Sequence, residues 1–201
     1  MKNTIVIALR TSILGALCGT ALLGCTHTPV PHYYVLSAAA EPASHGLSSG
    51  PRIGLGPVTL PEYLDRPQIV TRVAGGRLEL SNAQRWAEPL QASFTRALLT
   101  NLERDLPNLD IVVHPWRSSL SIARQVQIEV TRFDRDADGA FHLSARWSVS
   151  TPNERDTAAT QHSDIEIPLT ATADDYDAMV SAANGAVAAL AATIASQVQA
   201  P

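Results

Sequence analysis

Lysine is almost absent from this chain: of 15 basic residues in 201, only Lys2 is not arginine. Cysteine is as scarce, with Cys18 and Cys25 alone, both near the amino end. Beyond Cys25 no thiol remains for a disulfide or a metal site, so neither can staple the fold. With 19 acidic residues and a net charge of −4, there is no basic stripe to track a nucleic acid or an anionic membrane. Aromatic residues make up only 5% of the chain, and no P-loop glycine signature is present to bind a nucleotide and supply energy.

Hydrophobic residues are plentiful, at 45% against 17% charged, which suits one globular domain. The amino end stands apart from it. Lys2 and Arg10 precede an apolar run from Thr11 to Leu23, the length of a signal h-region. The run closes in Leu22-Leu23-Gly24-Cys25, which reads as a lipobox, although Leu23 is a less usual residue there than Ala or Ser. The expectation is a signal peptide over 1–24, a lipidated Cys25 with a short tether to residue 31, and one globular domain over 32–201. The competing reading is an uncleaved transmembrane helix over Ile5–Leu23, against which Arg10 argues. Cleavage leaves 13 arginines against 19 acids, a charge of −6. Membrane attachment is then expected through lipid, not charge.

Along the domain, His32–Ser37 is a β-type run, and residues 38–51 read as a surface loop. Arg52–Leu60 and Gln68–Val73 are strands, and Gly75-Gly76 turns Ile69–Val73 back onto Arg77–Ser81. A helix is expected from near Glu88 with Pro89 in its first turn, burying Leu90, Phe94, Ala97, Leu98 and Leu102. Leu109–Val113 is a further strand. Alternation then marks Gln125–Thr131, Phe141–Val149 and Ile165–Leu169 as strands with one buried face. Thr172–Asp175 resembles a capping box opening a last helix, apolar at Tyr176, Val180, Ala183, Val187, Leu190, Ile194 and Val198. The weakly polar second face of that helix leaves two readings, cover for a sheet or a seat for another subunit. The fold class expected is α+β, an α/β sandwich: a mixed, largely antiparallel sheet of about six or seven strands with two long helices packed on it.

No catalytic constellation emerges. Asp134–Gly139 has the first half of a calcium loop, but Ala145 stands where the bidentate Glu belongs, so a solvated hairpin tip is expected. His27, His32, His45, His114, His142 and His162 lack metal-ligand spacing, and His142 falls on the polar face of a strand. Gly54-Leu55-Gly56-Pro57 is no dinucleotide fingerprint, and Gly46–Gly50 lacks the strand–turn–helix setting of a hydrolase elbow. No cofactor and no metal are expected.

Two segments remain as candidates: Leu60, Pro61, Tyr63, Leu64, Asp65, Arg66, Pro67 and Gln68 in one, Arg85, Trp86 and Glu88 in the other. Tyr, Trp and Arg concentrate in binding hot spots, and both segments are irregular or end an element. The other reading is a structural lock, with Trp86 in the core and an arginine paired to an acid.

The order GPV-x-LP-x-YLDRPQIV-x-R, a hairpin, then RWAEPL and an amphipathic helix resembles the ABC-type transport auxiliary lipoproteins, and HYYVLS resembles their first strand. The resemblance implies a non-enzymatic subunit of an MCE-type lipid-transport system. Its partners would be a periplasmic MCE-domain protein and the inner-membrane component of that system. Thr26, where Asp would favour inner-membrane retention, then implies the outer membrane, facing the periplasm. The alternative is a small-molecule or lipid-binding lipoprotein acting as a carrier.

Overall fold

Alternating apolar residues build the spine of the structure, a computed structural model that describes residues 30–38, 50–151, 158–170, 172 and 174–199. Cys25, the signal segment and the middle of the 38–51 loop lie outside the described residues. The chain divides into two units, Met1–Val30 and Pro31–Pro201, and the second carries the strands and helices of the described residues. In chain order these are β1 (His32–Tyr34), β2 (Arg52–Thr59), β3 (Gln68–Arg72), β4 (Leu78–Trp86), α1 (Leu90–Asp105), β5 (Asp110–Val113), β6 (Arg124–Arg135), β7 (Ala140–Ser150), β8 (Gln161–Pro168) and α2 (Tyr176–Gln199).

β6 is the axis. Val126, Ile128 and Val130 on it, and Phe141, Leu143, Ala145 and Trp147 on β7, are buried as their alternation predicts. One edge of β6 pairs antiparallel with β7, which pairs antiparallel with β8, and these are the longest ladders. The other edge is shared. β2 takes its first half, from Ile53↔Arg124 to Thr59↔Glu129, and β3 meets its end at Thr71↔Arg135, both parallel. There the sheet forks: β5 extends it beyond β2, and β4 then β1 extend it beyond β3. The result is a mixed sheet of eight strands with two long helices packed on it, the α+β sandwich that the periodicity implied.

Both helices bury a stripe against the sheet and against each other. On α1 the buried residues are those at helical spacing, Leu90, Phe94, Ala97, Leu98 and Leu102. Phe94 meets Phe133 of β6 edge-on at 5.5 Å, and Phe133 meets Phe141 at 4.8 Å. Pro89 is the N-cap and not part of the first turn; its carbonyl accepts the N–H groups of Ala92 and Ser93. α2 is capped by Asp175, whose Oδ1 accepts the Ala178 N–H at 2.9 Å, so the cap lies three residues beyond Thr172. α2 is long and apolar enough to span a bilayer, with a mean hydropathy of 1.6, yet 56% of that window is buried in the fold. Ala182, Ala186, Ala191 and Ala195 join its expected stripe in the core.

Gly75 and Gly76 turn the β3–β4 hairpin at φ +76° and +78°, where an L side chain would be strained. β4 continues to Trp86, five residues past the expected Ser81, because Ser81 Oγ accepts the N–H groups of Ala83 and Gln84 and carries the strand over an irregularity.

Candidate functional site

β2 and β3 run the same way along one edge of β6, so the chain between them must leave the sheet and return. Pro61 and Pro67 bound that excursion, each lacking a donor that a ladder would need. Within it, Glu62–Leu64 form one 3-10 turn, with the Leu64 N–H on the Pro61 carbonyl at 2.9 Å. The turn aims Leu64 into the core, where it is 3% exposed. It aims Tyr63 at β6.

The Tyr63 hydroxyl donates to Oδ2 of Asp134 at 3.0 Å. Arg72 donates to the same carboxylate through Nη2 at 2.8 Å and Nε at 3.2 Å, and Arg132 through Nε at 2.9 Å. Asp134 is fully buried, so these partners replace its water. Burial, and then the Asp134 charge, raise the Tyr63 hydroxyl above its ordinary range, so it stays a donor. The Asp134 hydrogen bond outweighs burial and raises Arg72. This corrects the expectation of a solvated hairpin tip at 134–139 for its first two residues, since Asp134 and Arg135 are buried while Ala137 and Asp138 at the turn are exposed. A shift in the β6–β7 register between Val130 and Arg132 turns Phe133 toward the helices and puts Asp134 on the opposite face beside His142, where Tyr63 and Arg72 cover it. His142 is corrected likewise. It is not wet but about four-fifths covered, with Nε2 2.5 Å from Oδ2 of Asp136. Asp136 Oδ1 in turn accepts the N–H groups of Asp138 and Ala140, which closes the turn.

The second segment meets the first through the backbone. Gln68 pairs with Arg85, and the Trp86 N–H donates to the Pro67 carbonyl at 2.7 Å. The Ala87 N–H donates to the Tyr34 carbonyl at 2.8 Å, which ties β1 to the same corner. Trp86 is 5% exposed and belongs to the core. Glu88 pairs with the Arg96 guanidinium of α1 through both oxygens, and that pairing lowers its carboxyl.

The candidate residues therefore divide by direction. Leu64 and Trp86 face the core, Leu60 and Tyr63 are half-buried against it, and Pro61 and Gln68 are half-buried as well. Asp65, Arg66 and Pro67 are exposed. Together with Trp86, Glu88 and Pro89 they line a groove of about 300 Å³. Asp65 and Pro89 also line a larger groove of about 490 Å³, walled by Ala92 and Leu99 of α1 and by Val113 and His114 at the end of β5. The Arg66 side chain makes no hydrogen bond or ion pair among the described residues. Arg85 is half-buried, and its Nε has no hydrogen-bond partner among them.

Sequence reasoning missed Asp134, Arg72 and Arg132. The one available signal was the Arg132-Phe133-Asp134 run, which puts a carboxylate next to a large apolar residue near the end of a strand. The glycines at 54 and 56 make room for packing. A Cβ on Gly54 would lie 2.5 Å from the Trp116 ring, and Gly56, at φ +114°, sits against His114. Among the described residues, no three His, Cys, Asp or Glu side chains converge as a metal site.

Comparison with known proteins follows this geometry. The model of the family described as ABC-type transport auxiliary lipoprotein component matches residues 34–195, which include both candidate segments. Intermembrane transport lipoprotein PqiC of Escherichia coli (strain K12) is 25% identical over 180 residues, 89% of this chain and 92% of its own length. The protein of the same name from Shigella flexneri matches to the same extent. The fold recurs in the crystal structure of an uncharacterized protein, with a TM-score of 0.69 and 22% identity over 85% of this chain and 99% of the other. It recurs again in a protein from Xanthomonas campestris, with a TM-score of 0.65 and 17% identity over 83% and 98%.

Proposed function

Because this chain belongs to the ABC-type transport auxiliary lipoprotein component family, we propose that it is a non-enzymatic subunit of an MCE-type intermembrane lipid-transport system, held at the outer membrane through Cys25. The observation that carries the docking role is the convergence of the two candidate segments on one groove. Their inward residues, Leu64 and Trp86, fix the backbone, while Asp65, Arg66 and Pro67 stay exposed beside it. A rigid rim bearing one unpaired guanidinium is suited to recognising a partner, since little conformational freedom is lost on binding. The partner would be the periplasmic MCE-domain protein, rooted in the inner membrane.

The test is co-purification from detergent-solubilised envelope. The wild-type chain should bring down an MCE-domain protein, and Arg66→Ala should bring down much less at unchanged folding. Equal recovery from the two removes the groove from the docking role.

The larger groove favours a second reading, that of a lipid or small-molecule carrier. Its volume of about 490 Å³ and its Ala92, Leu99 and Val113 walls fall within the range of ligand sites. Phospholipid retained by the purified protein in a native mass spectrum would favour that reading over docking.

A further inference from the structure

Tyr33 and Val35 are 63% and 47% exposed, while Tyr34 between them is half-buried and Leu36 after them is 2% exposed. The chain alternates out and in, so two large apolar side chains stand outward on the same run. β1 ends the sheet, paired only to β4 among the described residues, and no second strand among them covers its outer edge. The run is also fixed. The Leu36 N–H donates to Ser93 Oγ of α1 at 2.9 Å, and the Ser37 N–H donates to Asn184 Oδ1 of α2 at 3.0 Å. Whatever Tyr33 and Val35 touch is therefore held in a set orientation to the whole head.

From these observations we infer that the rim of the sheet at β1, through the outward side chains of Tyr33 and of Val35 just after the strand, rests on the lipid surface in which the anchor is embedded. This rests on the acylation of Cys25. Only seven residues lie between Cys25 and Tyr33, eight Cα–Cα steps, a reach of at most about 29 Å when fully extended. Without a lysine beyond Lys2 there is no polybasic segment to hold an anionic surface, and apolar contact is what the chain offers there. A tyrosine suits the task, with a ring that enters the interface and a hydroxyl that stays wet. Two such side chains bind a membrane weakly by themselves. Once a lipid holds the chain, the contact becomes intramolecular and needs only to select an orientation. The head would then lie with its β1 edge down, placing the neighbouring Pro67–Trp86 corner near the membrane.

The experiment uses the full chain, matured and acylated, in vesicles of phosphatidylethanolamine and phosphatidylglycerol. The mature chain has no free thiol, so Tyr33→Cys and Glu166→Cys each accept one environment-sensitive fluorophore. Glu166 is exposed on β8, five strand steps from β1 across the sheet, about 24 Å at ordinary strand spacing. With nitroxide lipids labelled near the headgroup, the probe at 33 should be quenched several-fold more than the probe at 166. Equal quenching at the two positions overturns the inference. So does a blue shift at 33 without lipid quenching, which would mean that a second protein copy covers the edge. The mass of the purified chain reports the diacylglycerol independently. Its absence would overturn the anchor, and the contact with it, by a readout separate from the quenching.

Discussion

Arg72 grips the fully buried carboxylate of Asp134 at two points, 2.8 Å and 3.2 Å, and by doing so closes the fork in the sheet. Arg72 ends β3 and Asp134 lies one residue before the end of β6, so the pair ties the two strands where their ladder amounts to one residue pair. Tyr63 adds the excursion loop to the same carboxylate. The groove rim on that loop is thus set by a charge cluster on its other side.

Removing that carboxylate's charge should loosen the loop. Asp134→Asn leaves Arg72 without its counter-ion and Arg132 with Asp136 alone, at 3.5 Å, and loss of one partner of a buried pair costs about 3–5 kcal/mol. Tyr63→Phe removes the hydrogen bond to Asp134 and the longer one accepted from Arg72 at 3.4 Å, the first costing about 1.5–3 kcal/mol. Urea unfolding followed by circular dichroism measures both. A loss below about 1 kcal/mol for Asp134→Asn would mean that the neighbouring side chains rearrange and the cluster does not hold the fork.

Two glycines should respond in opposite directions. At Gly54 an added Cβ would lie 2.5 Å from the Trp116 indole. Gly54→Ala should therefore lose about 1–3 kcal/mol and shift the emission of Trp116 as the ring moves away. Gly185 lies within α2, where an added Cβ would meet nothing within 4 Å. Gly185→Ala should gain up to about 1 kcal/mol through helix propensity. The same sign for both would contradict the packing described at Gly54.

Acid should weaken the β6–β7 hairpin through Asp136. Burial pushes this carboxyl up, but the Ala140 N–H, the neighbouring His142 and the Asp138 N–H outweigh it and hold it below its ordinary value. A carboxyl depressed in the folded state adds stability that is complete above its unfolded pKa and lost as pH falls through the folded one. The loss therefore belongs below about pH 4. Unfolding curves taken down the acid limb should be shallower for Asp136→Asn than for wild type. Parallel curves would show that the hairpin carries no such linkage.

At the groove, stability and binding should separate. Trp86→Ala empties a core position and should cost about 3–5 kcal/mol. Arg66→Ala removes an exposed, unpaired side chain and should leave the melting temperature within a degree or so while recovery of the partner falls. If both variants melt as wild type does, Trp86 is not the core anchor that its 5% exposure indicates.

How far the sequence carried the fold depended on whether a residue followed a period. The stripes on α1 and α2 and the alternation of β7 were legible because each buries one face by one rule. The fork was not legible, since nothing local says that β2 and β3 share one edge of β6. The Asp134 cluster was hidden because the register shift after Val130 puts that carboxylate on the face away from the helices, where the Tyr63 loop and Arg72 bury it from distant parts of the chain. In the candidate segments the sequence marked Tyr63 and Trp86 by type. It left open which way they point, because that is decided by Asp134 and Pro67, 71 and 19 residues away in the chain. Tether length is the remaining property that turns on such a long-range contact.

If the fold begins at β1 and Cys25 is the anchor proposed above, only residues 26–31 lie between Cys25 and the first strand residue, His32. At about 3.3–3.6 Å per extended residue, that is on the order of 25 Å, too short to carry the head across the periplasm. A head so held must wait at the outer membrane for its partner to reach it. The strand pairing of β1 with β4, the Tyr34 carbonyl on the Ala87 N–H and the buried Leu36 N–H on Ser93 favour the short leash. Hydrogen exchange on the acylated chain measures it directly. The Leu36 amide should exchange slowly, at the rate of the α1 core, while the amides of Thr26, His27, Thr28 and Val30 exchange at once. Fast exchange through Leu36 would free the chain as far as Pro51, extend the reach several-fold, and make a roaming carrier the better description of this protein.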